Sequence, residues 1–166
     1  MPEPFDFVFG ENDEIASSKG LVYIPRKIVR NRMERETKPI FDSLKKLVKT
    51  TSDEHIQSFF LESPPPIPSE DHIRAHPLGF DQTMISRYGI APIGLRKKMW
   101  KLHSELVEQY CVQLGVTFVP VPTETLDEHG CLIEAAWFND PSHANSFYGK
   151  LVLEDLFENY LQEDSI

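Results

Sequence analysis

Between residues 95 and 121 the chain switches from a helical period to a strand, and that switch fixes the kind of architecture available to it. Leu95, Met99, Leu102, Leu106, Tyr110 and Leu114 recur three or four residues apart, so they share one face of a helix. Gly115 stands where a helix C-terminus takes a left-handed residue. Residues 116–121 then carry the β-branched and aromatic side chains of a strand, flanked by proline. The same alternation precedes and follows. Residues 5–9 are a short, nearly continuous apolar run, as a strand buried on both faces requires. Ile40, Phe41, Leu44, Leu47 and Val48 predict a helix, with Pro39 suited to its first turn. Residues 56–61 predict a second strand, ended by Glu62-Ser63-Pro64-Pro65-Pro66 because proline cannot continue a central ladder. Leu151, Val152, Leu156, Phe157 and Tyr160 give an apolar face to a last helix beginning near Asn145.

The order β, α, β, α, β, α implies right-handed crossovers and a parallel sheet with helices outside it, an α/β fold. A length of 166 residues suits one domain spanning 1–166, and 40% hydrophobic residues suffice for a core. Residues 62–92 hold many prolines and glycines and show no period, so a long loop is expected there; the polar stretch before Glu36 is expected to be irregular. The net charge of −9 disfavours nucleic acid and anionic membranes, both of which need a basic footprint. No window approaches the ~20 apolar residues of a membrane span, and the acidic start is unlike a signal peptide. A soluble, cytoplasmic protein is the expectation, and two cysteines without a pairing pattern, Cys111 and Cys131, fit a reducing compartment.

In parallel sheets, function gathers beyond the carboxyl ends of the strands, and the most unusual polar segments fall at such places. One is Asp140-Pro141-Ser142-His143. An aspartate three residues before a histidine can hold the imidazole in one tautomer and stabilise the imidazolium once a proton is taken. Aspartate before proline is equally an ordinary turn. Another is Gly10-Glu11-Asn12-Asp13, directly after the first strand. The glycine permits a tight turn, and the asparagine amide can aim an N–H at a developing oxyanion; the same residues also favour plain turns.

In this order and on these elements, the two motifs resemble those of the SGNH/GDSL hydrolase family, from residue 5 to about residue 157. The family's GxND block looks like Gly10 to Asp13, and its DxxH block before the last helix looks like Asp140 to His143. His143-Ala144-Asn145 leading into Tyr148-Gly149, and Pro64-Pro65-Pro66, are also similar to runs in the family. The resemblance implies a flavodoxin-like three-layer α/β/α fold. It implies His143 as general base, Asp140 as its orienting acid, Asn12 as oxyanion donor and Gly10 as the turn that places it. The activity implied is hydrolysis of carboxylic or O-acetyl esters of small molecules or carbohydrates, with no cofactor. Asn12 and His143 are then expected to converge at one edge of a three-stranded parallel sheet.

The family's nucleophilic serine comes from a Gly-Asp-Ser block ahead of GxND, and only nine residues precede Gly10 here. The expectation is an incomplete fold lacking its first strands, inactive alone, with the strand at 5–9 open to a homodimer or to the missing half. Phe41-Asp42-Ser43-Leu44 imitates GDSL but lies within a helical stripe, so Ser43 reads as a solvated helix residue. Ser63 and Ser142 read as turn residues. His129, Cys131, Asp140 and His143 are all capable zinc ligands, yet no pair has the short spacing of a structural zinc site, and no metal is expected. The other reading is a non-catalytic α/β module kept for binding.

Overall fold

In a computed structural model, which describes residues 5–9, 21–51, 56–77 and 82–161, helices carry most of the chain and the strands are short. The elements are β1 (Phe5–Asp6), β2 (Val22–Tyr23), α1 (Arg26–Thr51), β3 (Phe59–Leu61), α2 (Glu70–Ala75), α3 (Gln82–Tyr88), α4 (Ile93–Leu114), β4 (Thr117–Val119) and α5 (Ser146–Asn159). Single 3₁₀ turns lie at Thr123–Thr125 and Glu134–Ala136. The fold is mixed α/β. Among the described residues, however, the strands form two parallel pairs, β1–β2 and β3–β4, in place of one sheet of three. Among the described residues, the strand expected over 5–9 pairs at Phe5 and Asp6, with Val22 and Tyr23 opposite. A two-residue strand is too short to show a period, so β2 carries no signal in the sequence.

By its contacts the chain divides into two compact units, one of residues 1–60 and 94–118, the other of 61–93 and 119–166. In the first unit, Val29 and Met33 from the first half of α1 share a cluster with Leu95, Met99 and Leu102 of α4. Phe41, Leu44 and Val48 share another with Val107, Cys111 and Leu114. Contacts therefore climb both helices together, and the two run side by side in the same sense. The Phe41 and Tyr110 rings stack at 3.8 Å. At the strand end, Asp6 is buried and its carboxylate accepts from Lys98 Nζ at 3.0 and 3.1 Å; the same ammonium donates to Phe7 O. The one charge that interrupts the apolar run at 5–9 is thus paired inside the unit.

Helix α1 begins at Arg26, ten residues before the polar stretch was expected to end. Pro39 lies inside it and not in its first turn. Residues 26–37 are too charged to show an apolar stripe, yet Arg30–Glu34 and Arg32–Glu36 pair at helical spacing, and Thr37 Oγ1 donates back to Met33 O at 2.9 Å. Helix α4 and its end match the periodicity closely. Gly115 has φ +67°, its N–H reaches Val112 O, and Val116 N–H reaches Cys111 O at 2.9 Å. That is a Schellman closure, with Val116 and Cys111 in one core.

In the second unit, Ile67 and Leu132 are fully buried and pack with Ala136, Tyr148 and Val152. The proline turn is tied in by its neighbours: Glu62 carboxylate accepts from Val121 N–H at 3.0 Å, and Leu132 N–H donates to Pro66 O. Pro65 is fully buried. The loop expected over 62–92 contains two short helices, α2 and α3. Helix α2 starts on Ser69, whose hydroxyl accepts from His72 N–H, and Ile73 anchors it in the core. No helix among the described residues is long and apolar enough to cross a membrane.

Candidate functional site

The site is built on a narrow hairpin before α5. Trp137 and Ala144 form an antiparallel bridge, flanked by Phe138 N–H to His143 O at 3.1 Å and Asn145 N–H to Ala136 O at 2.9 Å. Trp137 and Ala144 pack against the core, and Trp137 Nε1 donates to Leu132 O at 2.8 Å. Alternation across the hairpin sends the neighbouring pair, Phe138 and His143, outward. Phe138 is exposed accordingly. Asn145 closes the hairpin and starts the helix: its amide donates to Ala135 O and Trp137 O, while Oδ1 accepts from Phe147 and Tyr148 N–H.

Inside the turn, Asp140 is buried and makes three bonds through its carboxylate. Oδ1 accepts from Ser142 N–H at 2.8 Å and His143 N–H at 2.7 Å; Oδ2 accepts from His143 Nδ1 at 2.6 Å. Burial would push this carboxyl up, but the two backbone donors and the imidazole together hold it below the ordinary carboxylate range. An ionised carboxylate only accepts, so the proton of the neutral imidazole sits on Nδ1 and Nε2 presents a lone pair. The His143 side chain is 76% exposed. An ordered acid behind an imidazole whose other nitrogen faces outward is the arrangement that a general base requires.

The sequence did not point to the third member of this site. His72, on α2, brings Nε2 to Phe138 O at 2.9 Å and to Asp140 O at 3.2 Å. Its ring lies 5.0 Å from Trp137 and 4.4 Å from His76. His76 Nδ1 in turn bonds His72 O at 3.0 Å. The partners of His72 are backbone carbonyls more than sixty residues away, and no spacing rule finds such a pair.

Gly10 and Asn12 lie outside the described residues. Ser43 is on α1, exposed, with its hydroxyl donating to Pro39 O at 2.9 Å. Ser142 contributes its backbone N–H to Asp140. Of the four candidate zinc ligands, Asp140 and His143 meet; among the described residues no three His, Cys, Asp or Glu side chains gather around a common point. No protein-family model matches the chain, and no curated protein matches it. Residue geometry alone therefore supports any reading of the site.

Proposed function

We propose that this chain carries the acid and base of an SGNH/GDSL-type serine ester hydrolase. The observation behind this reading is the 2.6 Å bond from His143 Nδ1 to an Asp140 carboxylate that two backbone N–H groups also hold. In the reaction, a serine hydroxyl adjacent to His143 Nε2 gives up its proton as its oxygen attacks the ester carbonyl. The imidazolium, stabilised by Asp140, then hands that proton to the departing alcohol, leaving an acyl-serine. Water repeats the sequence in reverse and releases the acid. Gly10 and Asn12 would supply the oxyanion side, and the substrates would be esters of small molecules or carbohydrates. No cofactor enters these steps.

The same reading assigns the two parallel strand pairs and their helices to a flavodoxin-like three-layer arrangement. The strand at 5–9 would then take a further strand or a second copy of the chain. The serine is the part of the mechanism still to be supplied, because no Gly-Asp-Ser occurs in the sequence.

The deciding experiment measures hydrolysis of short acyl esters by this chain and by the chain joined to any coding sequence in frame upstream. The chain alone is expected to show no hydrolysis that a serine-directed phosphonate blocks. The joined product is expected to show it, and His143→Ala should remove it by several orders of magnitude, since the members of a triad act as a unit. Hydrolysis indifferent to His143→Ala would overturn the reading. An upstream region without a Gly-Asp-Ser block, together with an inert chain, would favour the binding module.

A further inference from the structure

We propose that His72 is a positioning residue for Asp140 and His143: its Nε2–H holds the turn that keeps the His143 proton on Nδ1. This rests on reading those two residues as acid and base. One ring nitrogen faces two carbonyl oxygens, at 2.9 and 3.2 Å, and carbonyls only accept. Nε2 of His72 therefore carries a hydrogen shared between them. The two oxygens belong to Phe138 and Asp140, on either side of Asn139, where the hairpin ladder has ended.

Among the described residues, the other bonds to Asp140 are made by its side chain, to groups inside the same four-residue turn. Those bonds fix the carboxylate relative to the turn but do not fix the turn relative to the rest of the unit. His72 does so from a separate element. Its own placement is determined at several points: Ser69 Oγ accepts from its N–H, its carbonyl accepts from His76, its ring lies against Trp137, and Ile73 beside it is buried in the core. Without the Nε2 donor, the peptide carrying Asp140 O can rotate. Oδ2 then leaves Nδ1, and the imidazole loses the bond that selects its tautomer.

The test uses the full chain, uniformly labelled with ¹⁵N, and long-range ¹H–¹⁵N spectra of the histidine side chains. In the wild type, neutral His72 is expected as the Nε2–H tautomer and neutral His143 as Nδ1–H with a slowly exchanging proton. His72→Phe keeps an aromatic ring against Trp137 and removes the donor; the His143 Nδ1 proton signal should be lost and its tautomers mixed. His72→Gln, whose side-chain amide can donate from near the same position, should restore the signal. A His72→Phe protein with native amide shifts and an unchanged His143 signal overturns the proposal. So does a wild-type His72 in the Nδ1–H tautomer, a measurement that needs no variant to fold. In any form of the protein that hydrolyses esters, His72→Phe should lower kcat about 10²-fold, the scale of a small misplacement, with KM little changed. Altered His143 tautomers in a protein that hydrolyses nothing would support the positioning role and count against the hydrolase reading alone.

Discussion

Asp140 is one of only a few buried acidic residues in the described chain, and its environment makes a pH prediction with a definite sign. Its folded pKa lies below the ordinary carboxylate value, so the native state binds its proton less readily than the unfolded chain. The stability it adds is therefore complete above the unfolded value of about 3.9. It is lost as pH falls through the lower folded value. Many other carboxylates titrate in the same range, so the useful quantity is a difference between two proteins. Melting temperatures of wild type and Asp140→Asn, followed from pH 6 down to 2, should converge below about pH 4. Curves that stay parallel would mean that the ionised form has no special stabilisation. Asp140→Ala should cost about 1–3 kcal/mol near neutral pH, because two backbone donors lose their acceptor. In the first unit, Asp6→Ala removes the carboxylate that Lys98 Nζ reaches at 3.0 Å, in a pair whose side chains are only 13% and 12% exposed. Removing one partner of a buried pair costs about 3–5 kcal/mol, and a urea titration should show that loss.

Helix α1 contains its own test of how local preference and tertiary packing compete. Pro39 is exposed and lies in the middle of a 26-residue helix, where it cannot donate to the carbonyl one turn back and crowds that turn. Phe41, Leu44 and Val48 just beyond it are held in the core with α4, and their burial carries the helix past the break. Pro39→Ala should therefore stabilise the protein, by up to about 3 kcal/mol, and circular dichroism should show a higher melting temperature with no loss of helix. An unchanged or lower melting temperature would mean that the proline fits a bend the packing needs. The same helix shows where the sequence could and could not be read. Over residues 95–114 an apolar stripe and a glycine stop coincide, and α4 follows them closely. Over 26–37 the helix rests on charge pairs and on the few apolar contacts of Val29 and Met33, so no stripe forms and the segment reads as irregular. The short helices α2 and α3 are hidden by their flanking prolines and glycines, although Ser69-Glu70-Asp71 is a helix start by composition. At the site, Asp140 and His143 are legible because three residues bring them together. His72 is not, because its partners are carbonyls that every residue possesses.

For the whole molecule, the division into two units makes a claim about cooperativity, and the two cysteines can report on it. Cys111 is buried in the core shared by α1 and α4; Cys131, next in sequence to Leu132, is buried in the second unit. Burial, aided by the nearby Glu108 charge, pushes the Cys111 thiol up to about 11. At pH 8 it is a thiol and not a thiolate, and a labelling reagent must wait for the structure to open. Each thiol thus reads the opening of its own unit. Leu132→Ala removes a fully buried side chain from the second unit and should destabilise it by about 2–5 kcal/mol, raising its open population more than ten-fold. Phe41→Ala does the same to the first unit, with the stacked Tyr110 left uncovered. If the two cores open separately, Leu132→Ala accelerates labelling of Cys131 while Cys111 keeps its wild-type rate, and Phe41→Ala has the opposite effect. Peptide mapping after timed labelling separates the two sites. Equal acceleration of both cysteines in both variants would show instead that the two cores open together, as one folding unit.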